Sequence, residues 1–212
     1  MMNTLLSLFL LLAAPAAETA THVPHTPIAI MQEEKPPYAV PSDEAKTIIE
    51  TRAKEALMAL RQKKMSKLAT LVHPTKGLRF SPYVYVNPEE DLVFTRKQVA
   101  GLWSSRKRYV WGMYDAGEEN IHMTFKKYYS RFVFSHDFTK APNVGYNNWS
   151  YGNGTSINRI PEVYPDAIAV EHNFPGFDKR YDGMDWESLW LVFQKSGTQW
   201  YLVGIVHNEW TT

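Results

Sequence analysis

Two runs near the C-terminal end of the chain are apolar at consecutive positions. Leu189–Phe193 reads Leu-Trp-Leu-Val-Phe, and Tyr201–Val206 reads Tyr-Leu-Val-Gly-Ile-Val. Successive side chains of a strand point to opposite faces, so a run that is apolar throughout must be covered on both faces. Strands of this kind lie in the middle of a sheet. We therefore expect Ser188–Gln194 and Trp200–Trp210 to pair antiparallel at a sheet centre, joined by a turn at Ser196-Gly197-Thr198.

An amphipathic helix is predicted much earlier in the chain, over Ser42–Lys64. Its apolar positions follow the i, i+3, i+4 spacing of a helix that buries one face; they are Ala45, Ile48, Ile49, Ala53, Ala56, Leu57 and Leu60. Ser42 is a suitable N-cap, and Asp43 and Glu44 place negative charge in the first turn, where the helix dipole favours it. We expect this helix to pack on the sheet.

Shorter elements are predicted between this helix and the two apolar strands. The patterns favour a helix around Leu68–Val72, a strand over Leu78–Val86, a helix from the Thr95/Gln98 capping box to Trp103, a hairpin at Asp115-Ala116-Gly117, a helix capped by Thr124, an irregular loop over His136–Ser156, and strands over Ile157–Val163 and Ala167–Phe174. A first helix, short helices and hairpins, and then an antiparallel meander give an α+β domain over residues 41–212.

The order of these elements resembles the nuclear-transport-factor-two-like cone fold, in which a curved sheet wraps a long helix. A cystatin-like sheet would produce a similar order. We therefore expect an N-terminal helix packed on a curved, mainly antiparallel sheet.

Several motifs are also similar to an uncharacterised domain of exported bacterial proteins, many of them lipoproteins. The motifs are Leu71-Val72-His73-Pro74, Tyr109-Val110-Trp111-Gly112, Asn143-Val144-Gly145-Tyr146, Phe174-Pro175-Gly176-Phe177, Gly183-Met184-Asp185-Trp186 and His207-Asn208-Glu209-Trp210. The resemblance implies an envelope or extracellular location. It brings no known catalytic residues with it.

The N-terminus is typical of a secretory signal peptide. A short apolar run over Leu5–Leu12 is followed by Ala14-Pro15-Ala16, which fits a signal peptidase site, so we expect residues 1–17 to be removed. The run is about half the roughly 20 residues that cross a bilayer, so no transmembrane segment is expected in the mature chain. Residues 18–40 hold four prolines and are expected to form a flexible tether. The predicted location is periplasmic or extracellular.

Composition and motifs argue against several classes of function. The chain has no cysteine, which excludes lipid attachment at a cysteine, thiol nucleophiles and thiolate metal sites. Lys and Arg number 23 against 22 Asp and Glu, so a nucleic-acid partner is not expected. No cofactor motif is present, and none is predicted. The acidic residues Asp178, Asp182, Asp185 and Glu187 have no calcium-loop spacing, so no metal site is predicted either.

His207 and Glu209 are the candidate catalytic residues. They alternate on the last strand, so their side chains project from one face and could form a general acid–base pair if that face lines a pocket. Asp185 is a third candidate. The alternative is that both side chains are solvated where the strand leaves the core. His172, in phase with Ile168 and Val170, is expected to be a buried, hydrogen-bonded histidine.

The aromatic content of 14% is high, and some of these residues fall where core packing explains them less well. The candidate ligand-binding residues are Tyr83, Tyr85, Trp149, Trp186 and Trp210, because aromatic rings combine a large contact area with a polar group. Non-catalytic binding of a small molecule, glycan or peptide is therefore the first functional hypothesis. The alternatives are an enzyme that uses His207, Glu209 and Asp185, and a structural or partner-docking module.

Overall fold

The two apolar runs form the centre of a six-stranded sheet. The computed structural model describes residues 38–115, 117, 119–148 and 157–211. In spatial order the strands are β2 (Val93–Phe94), β1 (Leu78–Ser81), β8 (Gln199–Glu209), β7 (Glu187–Ser196), β6 (Ile168–Phe174) and β5 (Asn143–Tyr146). Leu191 of β7 packs into one core and its neighbour Trp190 into another, so both faces are covered. The predicted central antiparallel pair is confirmed.

The sheet is mainly antiparallel, with one exception. β1 and β8 run parallel, with Phe80 opposite Ile205, whereas every other neighbouring pair is antiparallel. The predicted α+β class, with a helix on a curved, mainly antiparallel sheet, is confirmed. The predicted strand Leu78–Val86 is too long. It ends at Ser81 because Pro82 has no N–H with which to extend the ladder.

The first helix, α1 (Ser42–Arg61), packs its apolar face on the sheet as expected. The prediction that Ser42 caps it is wrong. The Ala45 N–H already bonds to the Pro41 carbonyl at 2.8 Å, so Ser42 is the first helical residue and no side chain caps the end. α1 ends before the predicted Lys64 because Lys63 has a left-handed φ of 56°. α2 (Met65–Leu71) follows. None of the described helices is both long and apolar enough to span a bilayer.

A hairpin and two short helices close one side of the sheet. β3 (Arg108–Met113) and β4 (Asn120–Thr124) form the hairpin predicted around Asp115. The helix α3 (Arg96–Gly101) is capped by Thr95, whose side chain accepts a hydrogen bond from the Gln98 N–H. The Gln98 side chain in turn accepts one from the Thr95 N–H, so the predicted capping box is confirmed. Thr124 precedes α4 (Phe125–Tyr128) but its side chain makes no capping bond. α4 continues as a π-helical turn over Tyr129–Val133.

The inner face of the sheet is the face that α1 covers. Aromatic rings fill the space between this face and the β3–β4 hairpin with its neighbouring short helices. The Trp111 ring stacks on Tyr128 with centroids 3.9 Å apart, and Phe80 meets the rings of Phe94, Trp111, Phe125 and Tyr128. Trp111 also donates its ring N–H to the Met123 carbonyl at 2.9 Å. Much of the aromatic excess is therefore core packing.

Two predictions fail in the segment before β6. Residues 143–146 were expected to be irregular and instead form β5, an edge strand paired with β6. Residues 157–163 were expected to be a strand; instead, residues 157–159 have no regular structure and Ile160–Val163 form the helix α5. Pro161 stands in its first turn, and the Asn158 side chain accepts from the Ile160 N–H at 2.8 Å; both features favour a helix start.

Tyr38 is part of the packed domain. Only 4% of its surface is exposed, and it packs on the outer face of the sheet with Val84, Ile160 and Trp190. Burial also raises the pKa of its phenol well above the ordinary value. The domain therefore includes a residue that the sequence placed within the tether. The predicted signal peptide and residues 18–37 of the tether lie outside the described residues.

Removing the Tyr38 side chain tests this boundary. Tyr38→Ala should lower the free energy of unfolding by about 3 kcal/mol, because it deletes a buried ring and leaves a cavity. Denaturant unfolding measures the change. Tyr181→Ala, which removes an exposed tyrosine, is the matched control and should stay within about 0.5 kcal/mol. Equal effects of the two substitutions would contradict the burial of Tyr38.

Candidate functional site

The inner face of the sheet changes from apolar to polar where β7 begins and β8 ends. Glu187 stands opposite Glu209, and Leu189 stands opposite His207. Because side chains two apart share a face, Glu187, His207 and Glu209 project to the same side as the core residues Leu189 and Ile205. The π-helical turn and the residues just after it lie against this end of the sheet.

Glu187 is the centre of this polar end. Its Oε1 lies 2.8 Å from the Nε2 atom of His207 and also accepts a hydrogen bond from the Ser135 hydroxyl. Its Oε2 lies 2.6 Å from the Nδ1 atom of His136. Only 7% of the Glu187 side chain is exposed, so these partners replace water around a buried carboxylate. Glu187, Ser135, His136 and His207 are called the Glu187 cluster below.

His207 is fully buried and both of its ring nitrogens face oxygen atoms. Nδ1 lies 3.1 Å from the backbone carbonyl of Pro82, and Nε2 faces Glu187. A carbonyl only accepts, and an ionised carboxylate only accepts, so both nitrogens must carry a proton when Glu187 is ionised. The Phe132 ring meets the imidazole edge to face at 5.5 Å. The geometry is that of an imidazolium–carboxylate pair.

The pKa of Glu187 lies below its ordinary value. Burial alone would raise it, because a low dielectric disfavours the charged form. The hydrogen bond and charge of His207, the hydrogen bond of Ser135 and the charge of His136 together outweigh that effect. Glu187 is therefore ionised in the folded protein at neutral pH.

The predicted His207–Glu209 pair is not formed, which corrects that part of the sequence analysis. Glu209 instead binds the Arg131 guanidinium through both oxygens, at 2.8 and 2.5 Å. Arg131 comes from the π-helical turn, whereas Glu187 on the neighbouring strand is the carboxylate within reach of the buried His207. The alternative, a solvated His207, is wrong as well.

Asp185 shapes a loop. Its Oδ2 accepts the backbone N–H groups of Phe177 and Asp178 at 3.0 and 2.7 Å. A side chain on Gly176, whose φ is 149°, would come within 2.9 Å of the other Asp185 oxygen. This loop holds the Phe177 ring parallel to His136 with centroids 4.0 Å apart. Asp185 thus positions a ring that covers the half-exposed member of the Glu187 cluster.

The predicted binding residues Tyr83 and Tyr85 come together in one cleft. It has a volume of about 350 Å³ and lies between the segment after β1 and the β3–β4 hairpin. We call it the tyrosine cleft; its polar lining residues are Tyr83, Tyr85, Asn87, Glu90, Asp91, Tyr114 and Asp115. Tyr83 is half-buried with its ring against Phe132, while Tyr85 is 53% exposed.

Asp91 is a lining residue that sequence reasoning missed. It is 9% exposed, and its Oδ2 accepts the Ser81 hydroxyl at 2.5 Å and the Asn87 N–H at 2.9 Å. Burial raises the pKa of Asp91 to about 6, although those two hydrogen bonds lower it. Nothing in the run Glu89-Glu90-Asp91 distinguishes it from a solvated acidic turn.

The predicted tryptophans do not join this cleft. Trp186 is buried, Trp210 is 39% exposed, and the Trp210 N–H bonds to the Trp186 carbonyl at 3.2 Å at the end of the sheet. Neither lines the tyrosine cleft. Trp149 lies outside the described residues. Within those residues, no group of three or more histidine or acidic side chains is placed to hold a metal ion.

The sequence offered a signal for Glu187 but none for His136. Glu187 is two residues before Leu189, so it falls on the inner face of a strand that the apolar pattern already predicted. His136 stands in a segment without periodicity, and its position follows from the π-helical turn.

Comparison with known proteins gives no family for the chain. No family model matches it, and no curated protein matches it. One aligned crystal structure is assigned by name as a calcium/calmodulin dependent protein kinase II association domain from Xanthomonas campestris. It has 16% identity and a TM-score of 0.32, over 76% of this chain and 84% of that one. A protein named as a variant of Rd1NTF2_05 has 13% identity and a TM-score of 0.30, over 78% of this chain and 100% of that one. At these scores no residue role is transferred.

Neutralising the central carboxylate tests the Glu187 cluster. Glu187→Gln should lower the free energy of unfolding at pH 7 by about 3 kcal/mol, because it removes the buried ion pair and forces His207 to give up its proton. Because the folded pKa lies below the unfolded value of about 4.3, the stabilisation is present above that pH and is lost as pH falls through the folded pKa. The variant should lose this acid dependence.

Denaturant unfolding across pH 3–7 measures both effects. Glu162→Gln is the matched control, since it removes one charge from the exposed pair with Arg159 and should leave stability nearly unchanged. If Glu187→Gln behaved like Glu162→Gln, Glu187 would not hold this end of the sheet.

Proposed function

We propose that the domain is a non-catalytic binding module and that the tyrosine cleft takes a small organic cation, such as an amine or a quaternary ammonium compound. The observation that carries this proposal is the lining of the cleft. Three tyrosines and three carboxylates surround about 350 Å³, and the described residues that line it include no lysine or arginine. The volume is at the small end of the range of ligand pockets.

The charge of the lining favours a cation. Glu90, Asp91 and Asp115 line the same small cleft, and the charge of Glu90 adds to the effect of burial in raising the pKa of Asp91, so a positively charged ligand would stabilise the ionised carboxylates. Asp91, with a pKa of about 6, is ionised at neutral pH and gains a proton in mild acid. The cleft therefore carries its full negative charge only above about pH 6, which is where we expect the strongest binding.

The tyrosine rings favour the same ligand class. The face of an aromatic ring attracts a cation within about 6 Å of its centroid. Tyr85 already has the Arg159 guanidinium 4.9 Å above its ring, so this ring interacts with an organic cation within the protein itself. Tyr83 and Tyr114 offer further rings in the cleft, and their hydroxyl groups can accept hydrogen bonds from ammonium N–H groups.

An enzymatic role is the second candidate, and one observation favours it. The His136 Nδ1 atom faces the buried carboxylate of Glu187 while 43% of the His136 side chain is exposed. A carboxylate that orients a histidine in this way leaves the other ring nitrogen to exchange protons with a substrate. In this reading His136 replaces His207 as the acid–base group. A structural or partner-docking module is the third candidate function. We also propose that the chain is exported to the periplasm or the extracellular space.

Calorimetric titration with choline and with its uncharged carbon isostere tests the binding proposal. Choline should bind at least about tenfold more tightly, since a desolvated cation–π contact contributes about 2 kcal/mol. The double variant Glu90→Gln/Asp115→Asn should lose this preference, because two of the three carboxylates are gone. Wild-type binding should also weaken as pH falls below 6 and Asp91 is protonated.

Asp166→Asn removes an exposed carboxylate away from the cleft and is the control; it should bind choline as the wild type does. Equal affinity for choline and its neutral isostere would contradict the proposed ligand class. If neither compound binds and native mass spectrometry shows no co-purifying amine, the docking-module alternative takes precedence.

A further inference from the structure

A second cavity lies between α1 and the edge of the sheet, apart from the tyrosine cleft. It has a volume of about 470 Å³. Its walls come from α1, from the turn at Phe138–Ala141, and from β5 and β6. We call it the His172 cavity. It shares no lining residue with the tyrosine cleft and none with the Glu187 cluster.

The walls of this cavity are mostly apolar. Of the apolar lining residues, Ala53, Leu57 and Phe138 are buried, whereas Met58 and Val144 are exposed. The α1 residues that line it run from Lys46 to Met58, which corresponds to a length of about 18 Å at 1.5 Å per residue. Lys46, Glu50 and Lys54 are its charged lining residues, and Lys54 is paired with Glu50 at 2.7 Å.

Of the histidines in the described part of the chain, His172 alone lines this cavity, and it is 6% exposed. Its Nδ1 atom is buried and has no hydrogen-bond partner among the described residues. The sequence predicted a buried histidine with a hydrogen bond; the burial is confirmed and the hydrogen bond is missing. Leaving a buried polar atom without a partner costs about 1–3 kcal/mol. Because Nδ1 has no accessible surface, the ring must turn before a ligand in the cavity can reach this atom, and a ligand that then supplies the partner recovers this energy.

The imidazole is neutral over the ordinary pH range. Burial lowers the pKa of His172 to about 4, because the protonated ring would be charged in an apolar environment. Coulombic stabilisation of a charged ligand group at this position is therefore absent. A charged group brought against His172 would lose its hydration without gaining a counter-charge, which is unfavourable. An uncharged hydroxyl group fits best, since it can either donate or accept and so suits either tautomer of the ring.

We propose that the His172 cavity is a second binding site, which takes an uncharged, largely apolar small molecule whose single hydroxyl group hydrogen-bonds to His172. The apolar part of the ligand lies against Leu57, Phe138 and Val144. The charged side chains at Lys46, Glu50 and Lys54 stay in water and take no part in recognition.

Three probes of equal chain length separate the contributions of charge and of the hydroxyl group. They are octanol, octanoate and octylammonium, used below their aggregation concentrations. NMR titration should show that octanol shifts the ring signals of His172 and binds at least about tenfold more tightly than either ion, in keeping with one buried neutral hydrogen bond of about 1.4 kcal/mol. Similar affinities for all three probes would overturn the proposal.

The variant His172→Phe keeps the apolar character of the cavity and removes the nitrogen atoms. It should bind octanol about tenfold more weakly, whereas His122→Phe, which replaces an exposed histidine on β4, should bind like the wild type. If His172→Phe does not fold, the NMR titration of the wild-type protein still tests the proposal. Binding of octanol without a shift of the His172 ring signals would contradict it. Octanol binding should be unchanged in Glu90→Gln/Asp115→Asn, so the two proposed sites can fail independently.

Discussion

The buried carboxylate of Glu187 holds together three parts of the chain that are far apart in sequence. It binds His207 on the neighbouring strand, and Ser135 and His136 just after the π-helical turn. His207 in turn reaches the carbonyl of Pro82, where β1 ends. Taking a carboxylate out of water costs several kcal/mol, so this arrangement is stable only because each oxygen of Glu187 has donors. The His207 ring also contacts Phe132, against which Tyr83 of the tyrosine cleft packs.

The Glu187 cluster, the tyrosine cleft and the His172 cavity differ in whether their polar groups have partners within the protein. In the Glu187 cluster the charges are paired with each other. These contacts hold the end of the sheet in place and orient His136. In the tyrosine cleft, carboxylates gather without a basic lining residue, and the raised pKa of Asp91 reflects its burial. In the His172 cavity a neutral ring nitrogen has no partner. The first is satisfied internally, and the other two are the places where a ligand would improve the electrostatics or the hydrogen bonding.

Local patterns in the sequence predicted the centre of the fold and missed its long-range pairings. Leu189–Phe193 is apolar on both faces, and this alone places it mid-sheet; Thr95 and Gln98 form the capping box that their spacing indicates. The parallel pairing of β1 with β8 joins segments more than 120 residues apart and leaves no local signal. For the site, alternation correctly placed His207 and Glu209 on one face. It could not show that Glu187 and Arg131 would be their partners, because those contacts depend on strand register and on the π-helical turn.

The end of the sheet depends on a buried ion pair between a protonated His207 and an ionised Glu187. Nitrogen-15 NMR of the His207 ring at pH 7 tests it most directly, because the two nitrogen shifts report which atoms carry protons. Both nitrogens should have shifts typical of an imidazolium ion in the wild type, and Glu187→Gln should convert the ring to a neutral tautomer protonated at Nδ1 beside the Pro82 carbonyl. A neutral His207 ring in the wild-type protein at pH 7 would show that Glu187 and His207 do not form an ion pair.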